Sequence, residues 1–367
     1  MRSVRTLPAF LGVVLALGAC APPEPVTIGM MAGLSGPNSL IGVASRDAAR
    51  LAVDEINEAG GVNGRPLELR VADDQDDIAV GRRIVAGFVE DGVPVILGPF
   101  MSSMAPVVES HRATDVLFLS PTMSTAALLG RDDNFVRVMA ASTNQGTALV
   151  DEMLRDRVRS AVVVYDSSNA VFSLELARYV QDLMEARQIV PLALLDNQNR
   201  DIRDLAGEIA AVAPGALCLV TNGYDSALIA QEVREAGAAP RLYASYWALS
   251  EDFVEHGGRA VEGAKLSSIL GRKEETDRYL GFEARYMERY GERPDLISSH
   301  AYEAVHVLVE ALERVDDERP FEIKQAIIEI GRFEGLRDAI FIDEYGDTQR
   351  PITLFEVRGG EFVALVR

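Results

Sequence analysis

From Val26 onward, short apolar runs alternate with longer stretches whose apolar residues recur at helical spacing. VTIGMMA (26–32), LELRVAD (67–73), VPVILGP (93–99) and VLFLSP (116–121) read as buried strands. Between the first two, Ala48, Ala49, Ala52, Val53 and Ile56 mark one face of a helix over 44–59, which Gly60-Gly61 stops. Ile84, Val85 and Phe88 mark a second helix, and a third starts at Met104. A second series is expected from about Phe135, with strands SAVVVYD (160–166), IVPLALL (189–195), ALCLVTN (216–222) and RLYASYW (241–247). Its helices span Leu174–Arg187 and Ile202–Val212, and another ends at Gly237. Two long helices follow, Glu275–Tyr290 and Ser299–Val315, and the stretch from Asp338 to the end reads as strands and turns. Strand and helix in alternation predict an α/β fold with parallel sheets covered by helices, arranged as two doubly wound lobes. Ligands of such sheets bind beyond the carboxyl ends of the strands. The strand-to-helix junctions are therefore the places to look: 33–38, 73–77, 98–104, 120–125, 165–172, 222–225 and 245–249.

The first twenty residues follow a different pattern. Arg2 and Arg5 precede an apolar run from Ala9 to Leu17, which is too short to span a bilayer and fits a secretory signal. Leu17-Gly18-Ala19-Cys20 resembles the bacterial lipobox, in which the cysteine is diacylated and becomes the new N-terminus. Two acyl chains give stable anchoring where one does not. Residues 1–19 are thus expected to be a lipoprotein signal peptide, Cys20 the lipidation site, and 20–25 a Pro-rich tether. No other apolar stretch reaches the length of a span. The expected location is the periplasm or the cell surface, held to a membrane by the lipid anchor only.

Charge and composition then narrow the chemistry. Among 367 residues, 56 are acidic and 36 basic, a net charge of −20, so nothing suggests a nucleic-acid partner. Two cysteines, Cys20 and Cys218, give no disulfide framework and no thiolate cage. Cys218 inside ALCLVTN reads as a buried apolar filler. Of the four His, His300 and His306 lie six apart, off the spacing of a helical metal pair, while His111 and His256 stand alone. The acidic run DDQDD (73–77) lacks the Gly and Glu positions of a calcium loop and reads as a strand end with Asp76 or Asp77 capping the next helix. No phosphate-binding loop, zinc-protease motif or nucleophile elbow occurs. The expectation is no enzyme, no metal and no cofactor, and a monomer.

Several junctions, in order, resemble the type I periplasmic solute-binding proteins of ABC importers, in the branched-chain amino-acid (leucine/isoleucine/valine) binding branch. The matching stretches are GLSGP (33–37), AARLAVDEINEAGGVNGRPLEL (48–69), DDQDD (73–77), VPVILGPFMSS (93–103), FLSPTMST (118–125), NQG (144–146), REAG (234–237) and DEYGD (343–347). The resemblance covers residues 26–367. It implies two α/β lobes joined by a three-strand hinge, with lobe 1 at 26–141 plus 272–346 and lobe 2 at 142–271 plus 347–367. It also implies a ligand trapped between the lobes and handed to membrane permease subunits. A receptor-coupled sensor and a cell-envelope enzyme are the alternative functions.

Carried over residue by residue, the resemblance implies that Ser102 binds a ligand carboxylate. Ser103 lies beside it at the helix start, where free N–H groups favour an anion. Met123 and Ser124 match the family pair that offers a backbone group and a hydroxyl. Phe172 matches an aromatic that packs on the ligand, Tyr224 lies near another, and Ile41 takes a place where the family often has a ring. The chain departs from the family at the acids that hold an ammonium group: Trp247 and Ser142 occupy those positions. Glu251, Asp252 or Asp225 are candidate substitutes. Phe172, Tyr224 and Trp247 together are expected to form an aromatic wall suited to an apolar or aromatic carboxylate.

Overall fold

The computed structural model describes residues 23–35, 39–112, 116–268, 276–350 and 352–365. The expected signal peptide, Cys20 and the start of the tether lie outside the described residues, as do Gly36 and Pro37 of the GLSGP junction.

The first unit is built from β1 (Val26–Ala32), α1 (Ser39–Glu58), β2 (Leu67–Asp73), α2 (Ile78–Glu90), β3 (Val95–Leu97), α3 (Ala105–Ser110), β4 (Leu117–Ser120) and β5 (Phe135–Arg137). These strands form one parallel sheet in the order β2-β1-β3-β4-β5. Phe135 does not open the second series. β5 pairs with β4, Phe118 opposite Phe135, and so closes the first sheet. Asp77 caps α2 by accepting from the Val80 N–H at 2.9 Å, one of the two capping roles read from DDQDD.

The chain then enters α4 (Ser142–Arg155), β6 (Ser160–Tyr165), α5 (Ala170–Ala186), β7 (Val190–Asp196), α6 (Ile202–Ala211), β8 (Ala216–Val220), α7 (Gly223–Glu235), β9 (Arg241–Ala244), α8 (Glu251–Gly257) and β10 (Lys265–Ser268). It continues through α9 (Asp277–Tyr290), α10 (Leu296–Leu312), α11 (Pro320–Ile330), β11 (Arg332–Glu334), β12 (Ala339–Ile342), β13 (Thr348–Gln349), β14 (Thr353–Arg358) and β15 (Glu361–Ala364). The second sheet has the order β15-β14-β10-β9-β8-β6-β7, parallel from β6 to β10 and antiparallel at β14 and β15. A small third sheet orders β11-β12-β13.

Both large sheets are covered on both faces, which is why their strands read as continuous apolar runs. In β6, Val162 and Val164 pack with Leu205, Ile209 and Ile229 on one face, while Ala161 and Val163 pack with Leu149, Leu176 and Cys218 on the other. Cys218 is fully buried, and burial pushes its thiol up to about 12, as expected of an inert filler. α9, α10 and α11 belong with the first sheet: Phe282, Val305, Leu308 and Ile327 share one core with Ile28, Met30 and Leu97.

Three stretches connect the two large units: 138–141, the segment between β10 and α9, and 350–352. The last crossing follows Gln349, because β13 still pairs with β12. Buried ion pairs in the first unit adjoin the first and last of them. Arg137 Nε lies 2.7 Å from Asp347 Oδ1, and Arg350 donates to Glu303 Oε2 on α10 at 2.6 Å. Removing one partner of such a pair leaves an uncompensated buried charge.

Candidate functional site

The carboxyl ends of β3 and β4 make one wall. After β3 the chain turns through Gly98, whose φ of +120° and 2.3 Å clearance between a would-be Cβ and the Met31 carbonyl leave no place for a side chain. The turns after β3 and β4 are then knitted together. Ser120 Oγ donates to the Pro99 carbonyl at 2.6 Å, and Thr122 Oγ1 to the Phe100 carbonyl at 2.8 Å. Ser102 begins a short 3-10 turn (Ser102–Met104) that leads into α3, and no side chain caps it. The Ser102 hydroxyl instead accepts from the Ser124 N–H at 3.4 Å, so its own proton remains to donate elsewhere.

The facing wall comes from β9 and α5. Beyond β9 a 3-10 turn, Tyr246–Ala248, presents two rings. The Tyr246 N–H donates to Gln145 Oε1 at 3.2 Å, and Ser267 Oγ donates to the same oxygen at 3.1 Å, so the buried amide of α4 fixes this turn. Phe172 on α5 is buried beneath it. Its ring lies 5.4 Å from that of Tyr246 and 5.9 Å from that of Trp247, the latter edge-on at 81°. Burial pushes the Tyr246 phenol up to about 12, against the pull of its hydrogen bond with Ser124, so it stays a neutral donor.

Between the walls lies a cavity of about 440 Å³. The first unit lines it with Ile41, Phe100, Ser102, Thr122, Ser124 and the start of α10. The second lines it with Asn169, Phe172, Tyr246, Trp247, Leu249 and Ser268. Among the described residues no cationic side chain lines it, and its single carboxylate is Asp295. That side chain caps α10: one oxygen, Oδ1, accepts from both the N–H and the hydroxyl of Ser298 at 2.8 Å.

Of the residues singled out from the sequence, Ser102, Ser124, Phe172 and Trp247 meet in this cavity, with Ile41 beside them. Ser103, Met123 and Tyr224 do not. Ser103 faces a separate crevice between α3 and α5. The Met123 side chain is buried in the core behind the wall, and its N–H is engaged by Ser120 Oγ at 3.1 Å. Tyr224 is 47% exposed and stacks edge-on with His256 at 4.9 Å. The shift is physical: α7 caps itself through Asn222, and its first turn faces α8 rather than the cavity. Tyr246, which sits one residue before Trp247, lines the cavity where Tyr224 does not.

The candidate substitute acids are absent from the described lining as well. Asp225 accepts from the side-chain amides of Asn222 at 2.9 Å and Asn197 at 3.1 Å. Glu251 and Asp252 are exposed on α8. No group of three or more His, Cys, Asp or Glu able to hold a metal occurs among the described residues.

The two units also touch directly. Glu175 on α5 reaches across to accept from Thr125 Oγ1 at 2.6 Å and from the Ala126 N–H at 2.7 Å, while its own unit supplies Ser142 Oγ at 2.8 Å. The Ser142 N–H donates to the Ser124 carbonyl at 2.8 Å. A cavity enclosed by two α/β units that hold hands at its rim is the architecture of a hinged binding protein.

A family model described as periplasmic binding protein matches residues 25–361. The chain belongs to the periplasmic binding protein family. Among similar proteins, "Leu/Ile/Val-binding protein homolog 1" of Brucella abortus is 22% identical over 346 residues, covering 93% of this chain and 92% of that one. A leucine-binding protein of Thermotoga maritima superposes with a TM-score of 0.78 at 21% identity, covering 93% and 98% of the two chains. A solute-binding protein of an ABC transporter from R. palustris, solved with benzoate, gives 0.77 at 18% identity, covering 93% and 96%. The two-lobed type I architecture implied by the sequence is therefore that of this chain.

Proposed function

We propose that the chain is the lipid-anchored, extracytoplasmic solute-binding subunit of an ABC importer, and that it takes a small carboxylate with an apolar or aromatic body. Lobe 1, which we take as 26–141 with 272 to about 349, seats the carboxylate on the hydroxyls of Ser102 and Ser124. The unshared N–H groups at the start of the 3-10 turn add to that seat. Lobe 2 closes over the body of the ligand with Phe172, Tyr246 and Trp247. The single observation that carries this reading is the placement of groups in the cavity: the hydroxyls of Ser102 and Ser124 on lobe 1 beside apolar Ile41 and Phe100, three rings together on lobe 2, and no acid on lobe 2 among the described lining residues.

The missing lobe-2 acid is what moves the reading away from branched-chain amino acids, which the names of the relatives suggest. An ammonium group closed against the lobe-2 rings with no acid beside it is costly. A carboxylate without an amine meets no such cost, and the R. palustris neighbour solved with benzoate shows that this fold accepts one. Only a ligand that prefers the closed form drives the hinge, so closure reports binding to the permease. The chain itself has no role as an enzyme in this reading, and its location outside the cytoplasm follows from Cys20 as the anchor.

The test is a thermal-shift screen of the purified protein against branched-chain and aromatic amino acids and against the same skeletons without the amine. A ligand present at 100 times its Kd stabilises by about 2.7 kcal/mol. Stabilisation by carboxylates lacking the amine supports the proposal. Stabilisation by leucine, isoleucine and valine alone overturns it.

A further inference from the structure

Asp295 is the one feature of the cavity that a plain apolar carboxylate leaves unused. It stands at the start of α10, in the first lobe, among otherwise apolar and neutral lining residues. Its Oδ1 is spent on Ser298, by two hydrogen bonds that fix the side-chain rotation. Its Oδ2 has no partner among the described residues. A carboxylate oxygen only accepts. The side chain is exposed to solvent in this structure, so further closure of the lobes over a ligand that offers it nothing strips water from a charge without replacing it. Closing them over a ligand with a donor aimed at Oδ2 makes a charge-assisted hydrogen bond, which is about twice as strong as a neutral one.

From this we infer that Asp295 is a specificity-determining residue: the ligand carries, besides its carboxylate, a hydrogen-bond donor that Asp295 Oδ2 accepts. The inference rests on the proposed carboxylate-binding function and narrows its ligand class. Asp295 also sets orientation. A ligand carboxylate is repelled from it and driven to the Ser102–Ser124 seat, so the donor end faces α10. Two chemical groups satisfy the requirement, a hydroxyl on the apolar body or an ammonium group, and matched probes separate them.

The experiment is calorimetric titration of the purified protein with two sets of probes. Benzoate is compared with 3- and 4-hydroxybenzoate, which differ from it by a hydroxyl. 3-Phenylpropanoate is compared with phenylalanine, which differs by an ammonium group. Each is measured on the wild-type protein, on Asp295→Asn and on Asp295→Ser. Asparagine and serine both cap helices well, so α10 keeps its start. Asparagine turns the free acceptor into a donor, and serine removes it. The expected result is that in one of the two sets the donor-bearing probe binds the wild type about 10-fold or more tighter than its parent. Both variants should erase that difference and leave the parent's affinity within about threefold. Agreement in the hydroxyl set assigns a hydroxylated ligand; agreement in the amine set assigns an amino acid, keeps Asp295 as the determinant and overturns only the amine-free part of the proposed function. If the parents bind but no donor-bearing probe gains, or if the gain survives in whichever variant folds, Asp295 is not the determinant and the inference is overturned. If no probe with a carboxylate binds the wild type at all, it is the proposed function that fails.

Discussion

The two walls of the cavity solve the same problem by opposite means. The lobe-1 wall carries its hydroxyls on backbone turns, beside apolar Ile41 and Phe100: two adjacent strand ends, tied to each other by Ser120 and Thr122, hold Ser102 and Ser124 in place. The lobe-2 wall is a stack of rings, with Phe172 buried under Tyr246 and Trp247. Hydrogen bonds within the turn hold the first, and packing against a hydrophobic core holds the second. The difference implies a division of labour. The polar wall supplies a fixed point that any carboxylate can use, and the ring wall supplies shape. It also implies different fragilities, because deleting a hydroxyl removes one bond while deleting a buried ring removes a support.

The largest effect is therefore expected at Phe172. Phe172→Ala empties a buried site and should cost about 3–5 kcal/mol of stability, besides letting Tyr246 and Trp247 collapse. Denaturant unfolding measures the loss, and a change under about 1 kcal/mol would show that the rings support themselves.

Acid should then separate the two lobes. His300 on α10 is buried, and burial with Arg350 beside it pulls its pKa down to about 4. Its Nδ1 lies 2.9 Å from the Leu296 carbonyl and its Nε2 3.4 Å from Arg350 Nη1, which suits a neutral ring that donates to the first and accepts from the second. In the unfolded chain its pKa is about 6.5, so between that value and about 4 the unfolded state binds the extra proton. Stability from this group is present above pH 6.5 and is lost as pH falls toward 4, by up to about 3 kcal/mol. Lobe 2 has a contrasting device. Burial opposes ionisation of Asp156, yet hydrogen bonds from Lys265 at 2.6 Å and Tyr243 at 2.6 Å outweigh it and hold the carboxyl below its usual range. Stability from Asp156 is present above its unfolded value of about 3.9 and is lost only below it. The His300 contribution should thus be lost at higher pH than the Asp156 one, and His300→Gln should flatten the stability curve between pH 6.5 and 4.5. An unchanged slope in that variant would rule the assignment out.

How much of this was legible in the sequence follows the same line. The inner strands of both sheets are buried on both faces, so their apolar runs stand out: VTIGMMA is β1 residue for residue, and the alternating edge strand LELRVAD, with Glu68 and Arg70 exposed, is β2. α4 escaped notice because its first turn, STNQG, reads as loop and its burial includes Ser142, Gln145 and Gly146. β10 escaped because KLSS carries little hydrophobicity and is a strand only through its neighbours β9 and β14. At the cavity, Ser102 and Ser124 were named because the family resemblance matches them to ligand-binding positions just beyond recognisable strands. Tyr246 was passed over for Trp247, since which ring of a Tyr-Trp pair faces the cavity depends on the turn after β9, and both do. Asp295 was invisible as a site residue. It looks like any helix cap, and only the packing of α10 against the first sheet brings it to the cleft.

Ser102→Ala tests the polar wall alone. A hydrogen bond to a charged group contributes about 1.5–3 kcal/mol, so carboxylate affinity should fall about 10- to 100-fold with stability nearly unchanged. Titration with the best carboxylate of the screen reads this directly. A loss under threefold would place the carboxylate elsewhere in the cavity and undo the contrast between the walls.

The smallest effect concerns what brings the walls together. Glu175 belongs to lobe 2, but two of its three hydrogen bonds go to Thr125 and Ala126 of lobe 1, at the edge of the cavity. Its carboxylate caps the lobe-1 turn that Thr125 begins, so it favours closure without touching the ligand. Glu175→Gln keeps an acceptor but removes the charge, and a charged acceptor outweighs a neutral one by about 1 kcal/mol. The closed-to-open ratio should therefore fall about fivefold in the absence of ligand. Solution scattering or a fluorophore pair across the cleft would report a more open ensemble. Every ligand's affinity should drop by the same factor, because the substitution acts on the hinge equilibrium and not on recognition. Selective loss for one ligand class would mean instead that Glu175 reads the ligand, and that the lobe-2 wall is not made of rings alone.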